Sequence, residues 1–264
     1  MNAIAISDME LILGASLLML NAGLSMMMQL GLARQLIISA ARMTVQLLLV
    51  GLLLKAAFAV GSLWVTLTLA LIMCLFAGYE VRARQERRLR GGWGYGIGAG
   101  AVMFAGTLVT LFALTVVLEP EPWYTPRYAI PLLGMIVGNV MTGASLALND
   151  IGLGAAKDRN AIEAQLALGA TRWRAFKPVT RRALRSGFIP IVNSMAATGV
   201  VSLPGMMTGQ ILAGVDPTEA VRYQLLVMFL IAGAASLGVY IAVFASLWRL
   251  SDDRHRLRLD RLTP

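Results

Sequence analysis

Residues 163–178 read Glu-Ala-Gln-Leu-Ala-Leu-Gly-Ala-Thr-Arg-Trp-Arg-Ala-Phe-Lys-Pro, a soluble-looking helix–glycine–helix element set between strongly apolar segments. The spacing predicts a helix over Ala161–Leu168 with Ile162, Leu166 and Ala167 on one face. Gly169 supplies the left-handed stop, and Thr171 stands where it can cap a second helix. That second helix carries Arg172, Arg174 and Lys177 beside Trp173 and Phe176. The work such an element can do is mechanical: it can receive a push from a soluble partner. The same spacing also fits an ordinary basic cytoplasmic loop.

Bond-making chemistry finds little support elsewhere. The single histidine, His255, lies in a charged tail without companions for a triad or a metal cluster. The single cysteine, Cys74, sits in an apolar run and forms no disulfide framework. Gly91-Gly92-Trp93-Gly94-Tyr95-Gly96-Ile97-Gly98 has the look of a phosphate loop, but it precedes an apolar span instead of following a strand. It reads as a flexible entry into that span. No G-x-x-x-x-G-K-[ST] motif is present. The expectation is a chain that is not itself an enzyme.

The elements that position the 163–178 stretch are membrane helices. The 264 residues are 58% hydrophobic and only 14% charged, against roughly a quarter charged in soluble domains. Mean hydropathy is +0.71. Apolar blocks predict seven spans, at 10–32, 43–61, 63–80, 97–118, 128–148, 187–203 and 220–248. The first lacks a basic leader and a clear cleavage site, so it reads as a retained helix. Only Gly61 and Ser62 separate the second from the third. The fold class is therefore all-α, a single polytopic permease-like domain over 1–264. A β-barrel is disfavoured because ten-residue alternating patterns are missing.

Twenty of the 23 Lys and Arg fall in 33–42, 81–93, 149–186 and the tail from Arg249. Seven spans put all four segments on one side, so the positive-inside rule places the N-terminus outside and the C-terminus in the cytoplasm of an inner-membrane protein. The net charge of +9 then faces anionic lipid, not nucleic acid. The tail after Ser251 reads as a solvated, charge-mixed helix or frayed end.

By these spans no Asp, Glu, Lys, Arg or His lies near mid-membrane. Ion-coupled carriers usually need such groups as relays. Energy from ATP, hydrolysed with Mg on a separate subunit, fits better. The chain itself is expected to bind no cofactor. Uncharged polar residues become the pathway candidates: Gln46, Asn139 and Asn193 in the spans, then Pro204, Gly205, Met206, Met207, Thr208 and Gln210. Pro204-Gly205 is expected to break the sixth helix, with Gly209 and Gly214 keeping the following chain irregular, as a re-entrant or short outer-leaflet segment. Gly134, Gly138, Asn139 and Gly143 put small residues at helical spacing, which suits close packing. Met206 and Met207, with Met26, Met27 and Met28, offer soft thioethers or simply adaptable packing. A metal site is not assigned.

Four runs carry a family resemblance: Arg42-Met-Thr-Val-Gln46, Gly134-Met-Ile-Val-Gly-Asn139, Leu166-Ala-Leu-Gly-Ala170 and Leu203-Pro-Gly-Met-Met-Thr-Gly-Gln-Ile-Leu-Ala-Gly214. Together they resemble the bacterial iron-export ABC permeases and the related plant aluminium-tolerance membrane subunits, the UPF0014-type proteins. The likeness runs over about 10–248. It implies a permease paired with a separate ATP-binding subunit, two of each, with a homodimer of the permease in lipid. It implies that Glu163, Leu166, Gly169, Ala170 and Arg172 couple to the ATPase. Bacterial relatives are linked to iron efflux and plant relatives to UDP-glucose movement, so cargo stays open between iron, UDP-glucose and lipid. A non-transporting signalling subunit and a stand-alone channel are the other readings.

Overall fold

The computed structural model describes residues 7–252 and 254–263. Apolar runs of this length satisfy their backbone internally as helices, the open-chain solution available in hydrocarbon. Among the described residues there are ten α-helices and no strand: α1 Asp8–Met27, α2 Ala33–Val60, α3 Leu63–Ala83, α4 Trp93–Phe112, α5 Pro126–Lys157, α6 Arg159–Ala167, α7 Arg172–Ala175, α8 Lys177–Ala197, α9 Gly205–Leu212 and α10 Pro217–Leu250. A π-helical turn, Ala113–Val117, extends α4. Six helices are long and apolar enough to cross a membrane, namely α1 to α5 and α10. The protein is a multi-pass membrane protein.

The chain forms two compact units. One holds α1, α2 and Leu212–Gly214, and in it α1 packs on α2. The segment 33–42, expected as a loop, is the start of α2. Arg34 and Arg42 ended the hydropathy window, but a charged side chain does not interrupt backbone hydrogen bonding. At 28 residues, α2 is about 42 Å long, enough to place its first turns among lipid headgroups.

The other unit, Ser62–Ile211 with Val215–Pro264, is built on α5, which packs against α3, α4, α8 and α10. Small residues let the backbones approach. A Cβ on Gly143 would lie 2.9 Å from both the Gly187 carbonyl oxygen of α8 and Val239 Cγ2 of α10. On Gly187 it would lie 2.7 Å from Val239 Cγ1 and 3.0 Å from Ala147 Cβ. Gly154 is closed in the same way by Val179, so α8 runs antiparallel to α5. Of the small-residue run expected on α5, Gly143 is locked in this seam and Gly134 touches Met73, whereas Gly138 faces open space.

The seam sets the heights of the helices. With Gly143, Gly187 and Val239 level, α5 continues about 25 Å further at its start and α10 about 33 Å, whereas α8 continues only about 15 Å to Ala197. The expected sixth span, 187–203, is therefore not one continuous helix. It begins earlier, at Lys177, so that Lys177, Arg181, Arg182 and Arg185 occupy its first half. It ends at Ala197, where Gly199 takes φ +90° and its N–H donates to the Ser202 carbonyl. The break thus precedes Pro204, which stands just before α9 and whose carbonyl accepts from Thr208. Gly209 lies inside α9, not in irregular chain, and Gly214 at φ +92° follows it.

The basic segments 84–92 and 149–186 and the tail meet at one end of this unit. Glu86 N–H donates to Asn149 Oδ1, and a Cβ on Gly152 would lie 2.7 Å from the Arg87 carbonyl. Among its described residues the tail is not a continuous helix but a folded return with one 3-10 turn, Leu259–Arg261. It turns at Ser251–Leu257 and returns to pair Leu262 with Leu89, with Arg90 N–H donating to the Arg261 carbonyl and Thr263 N–H to that of Arg88. Leu262 is buried. Asp252 accepts from the N–H of Arg254 and Arg256, and the Arg256 backbone bond holds its carboxyl below the usual range. The Arg258 guanidinium draws Asp260 down to about 2.

The seam yields a paired test. Gly187→Val forces a branched side chain between α5 and α10 and is expected to destabilise the protein by about 1–3 kcal/mol, as overpacking does. Gly138→Ala, in open space, should be neutral or stabilising by up to about 1 kcal/mol. Thermal unfolding of both variants in the same detergent reads the difference.

Candidate functional site

The 163–178 element hangs from the basic end of α5. Helix α5 ends at Lys157, and Asp158, with φ −96° and ψ 20°, turns the chain into α6. Arg182 of α8 pairs with the Asp158 carboxylate, and Ser186 donates to Asp150. Two polar ties therefore fasten α5 to α8 just where the chain turns. On α6, Ile162 is buried and Leu166 packs on the core, while Ala167 is exposed in spite of its expected place on that face. Glu163 points outward and pairs with Arg159 at 2.9 Å.

The tip is a Schellman turn. Gly169 takes φ +83°, its N–H donates to the Leu166 carbonyl, and the Ala170 N–H reaches the Gln165 carbonyl, both at 3.0 Å. This geometry throws Leu168 into the open, 88% exposed. Thr171 is the extended residue before α7 but its side chain makes no capping bond. The second helix is shorter than expected, since α7 stops at Ala175. Phe176, fully buried, anchors the chain before α8 begins.

Arg172 is half-buried. Its guanidinium lies 5.6 Å from the Trp173 ring centroid, and its Nε and Nη1 are buried without a hydrogen-bond partner. Its backbone N–H points at His255 Nδ1, 3.4 Å away. The tail therefore reaches the element, and a groove of about 430 Å³ lies between α6 and the tail, lined by Glu163, Leu166, Ala167 and Arg254–Leu257. Sequence reasoning missed the tail and Asp158. Leu257, Leu259 and Leu262 recurring within a charged run were the available signal.

The pathway candidates separate. Gln46 is half-buried on α2, in the other compact unit. Asn139 on α5 is half-buried and donates to the Met135 carbonyl at 2.8 Å. Asn193 is exposed on α8. Counted from the seam, these two lie within about one helical turn of each other in height. Pro204, Met206, Met207, Thr208 and Gln210 are half-buried and Gly205 is exposed. Met206 packs on the core, and Gln210 Oε1 is buried without a partner, as is Gln224 Oε1 on α10. Met26, Met27 and Met28 are exposed. Among the described residues no group of three or more His, Cys, Asp or Glu could hold a metal ion.

The profile of the uncharacterised protein family UPF0014 matches residues 8–250. A UPF0014 membrane protein of Synechocystis is 39% identical over 230 residues, 86% of each chain. The Escherichia coli protein named "Probable iron export permease protein FetB" is 32% identical over 262 residues, 99% of each chain. "Protein ALUMINUM SENSITIVE 3" of Arabidopsis thaliana is 37% identical over 214 residues, 81% of this chain and 76% of its own. No solved structure matches the chain.

Burial separates the anchor of the element from its tip. Phe176→Ala should cost about 3–5 kcal/mol, as an emptied aromatic site does, whereas Leu168→Ala should stay within about 0.5 kcal/mol. Denaturation midpoints of the two variants check this.

Proposed function

The chain belongs to the uncharacterised family UPF0014, and from that premise we propose that it is the permease subunit of an inner-membrane ABC exporter. A separate ATP-binding subunit hydrolyses ATP with Mg, and two copies of each subunit make the transporter. The observation that carries this reading is the path from Leu168 to the seam. The exposed tip sits on α6, Ile162 on the inner face of α6 is buried, and α6 continues from the helix on which the second unit is built.

The ATPase seats Glu163–Ala170 in a groove, with Leu168 as the apolar contact and Arg172 beside it. Burying that leucine contributes about 1.5–3 kcal/mol. Closure of the ATPase pair then moves α6 and, through Asp158 and its tie to Arg182, tilts α5 against α8. The basic end faces the cytoplasm, as the charge count suggests. Cargo crosses past Asn139 and Asn193 and leaves near Pro204–Gln210, where α8 stops short and α9 completes the unit; Gln46 is the pathway candidate of the other unit.

Iron is the cargo that the name of the Escherichia coli relative suggests. A second reading, an organic cargo such as UDP-glucose, is favoured by the amides of Asn139, Asn193 and Gln210, which suit hydroxyl and carbonyl partners better than a metal ion.

Gly169→Pro tests the coupling. Proline cannot adopt the positive φ that the turn needs, and it removes the N–H given to Leu166. In vesicles holding the permease and its ATP-binding subunit, ATP hydrolysis should persist while export falls at least about tenfold. Stimulation of hydrolysis by Fe(II) or by UDP-glucose, titrated separately, identifies the cargo class. Normal export by the variant would sink the coupling role.

A further inference from the structure

At the basic end, two adjoining grooves along α8 share Arg181, and α10 borders the first of them. One, about 330 Å³, is lined by Trp173, Lys177, Thr180, Arg181, Leu184, Phe244 and Leu247. The other, about 360 Å³, is lined by Pro178, Arg181, Arg182 and Arg185. The first is largely apolar, and an aromatic column continues it along the helices. Trp173 lies 6.0 Å from Phe244, Phe244 stacks 6.2 Å from Tyr240, and Tyr240 meets Phe188 edge-on at 5.3 Å. The second is cationic. Asp158 pairs with Arg182, while Arg181, Arg185 and Lys177 are exposed.

A hydroxyl marks the junction. Thr180, next to Arg181 and only 9% exposed, lines the apolar groove, and its Oγ1 is buried without a hydrogen-bond partner. A buried hydroxyl left unpaired costs free energy, and a turn of the Thr180 side chain toward the groove would let an ester or phosphate oxygen satisfy it. Cations at one end, an unpaired hydroxyl at the junction and an aromatic and aliphatic channel beyond it match one chemical object: an anionic headgroup carrying an acyl chain.

We propose that this double groove binds one anionic phospholipid. Its phosphate lies between Lys177, Arg181 and Arg185, an oxygen of the headgroup or glycerol ester accepts from Thr180, and one acyl chain follows Leu184, Phe244 and Tyr240. The site needs only the membrane location of the chain and is independent of the coupling mechanism. It lies beside the Asp158–Arg182 tie, so its occupant adds an anion at the point where α8 meets the end of α5.

Trp173 reports on the site directly. The full chain is placed in bilayer discs containing brominated phosphatidylglycerol or brominated phosphatidylcholine, and the Trp173 signal is taken as the difference from Trp173→Phe. Quenching should favour the anionic lipid by about fivefold or more, the enrichment that one cationic side chain near a surface gives. Arg181→Gln with Arg185→Gln should bring the two lipids close to parity. Both arginines are exposed, so the fold should survive. If it does not, the comparison of the two lipids on the unaltered chain still decides. Equal quenching by the two lipids, or a preference unchanged in the double variant, would overturn the proposal. Loss of the preference in excess inorganic phosphate at constant ionic strength would reassign the site to free phosphate. A Trp173 signal blind to lipid but altered by the ATP-binding subunit would reassign the groove to a protein contact.

Discussion

The close approach of α8 to α5 and α10 at Gly143, Gly187 and Val239 is the constraint from which the second unit takes its form. A transmembrane pair has no hydrophobic driving force within lipid, so contact between backbones and well-fitted side chains has to supply the attraction. Two glycines facing each other bring the three backbones so near that a methyl on Gly143 would meet the Gly187 carbonyl of α8 at 2.9 Å and one on Gly187 would meet Val239 of α10 at 2.7 Å. Once the heights are fixed there, the basic first half of α8 must stand beside the end of α5, and the turn at Gly199 stops α8 part-way along α5 and α10. The Asp158–Arg182 and Asp150–Ser186 ties follow from that register. The placement of α6, its exposed tip and the double groove beneath Arg181 follow in turn.

Much of this was written in local sequence. Long apolar runs are sufficient for α1, α3, α4, α5 and α10, because hydrocarbon leaves a helix little alternative. Gly169 was legible for a similar reason: few other residues accept the φ that ends α6. What escaped depended on partners distant in the chain. Residues 33–42 read as a loop because two charges interrupt the apolar run, although Arg34 and Arg42 can extend outward from a helix. The end of α8 at Ala197 is set by Gly199 and the Ser202 turn, weaker signals than the Pro204-Gly205 pair that follows. The tail's return to Leu89 spans more than 170 residues, and no periodicity reveals such a pairing. At the candidate site, the expected face of Ile162 and Leu166 is present, whereas the contribution of His255 lay outside any local pattern.

The two ends of this unit differ in physical character, and the difference matches the division of labour proposed for them. The basic end is tied by ion pairs, returned tail and buried anchors, so displacement at α6 is carried into the bundle with little slack. Toward the far end the backbone is broken between Ala197 and Pro217, two buried amide oxygens stand without partners, and α9 is a helix of only eight residues. A stiff end that receives force and a looser end that opens are what alternating access requires of one chain.

The central claim, that the ATPase seats the tip of α6, is tested most directly by chemical protection at Leu168. The chain has one cysteine, Cys74, and it is 2% exposed, so the thiol of a Leu168→Cys variant is labelled by a maleimide almost without background. The account predicts rapid labelling of the permease alone and strong protection once the ATP-binding subunit is bound in lipid. Equal labelling rates with and without a bound ATP-binding subunit would contradict it.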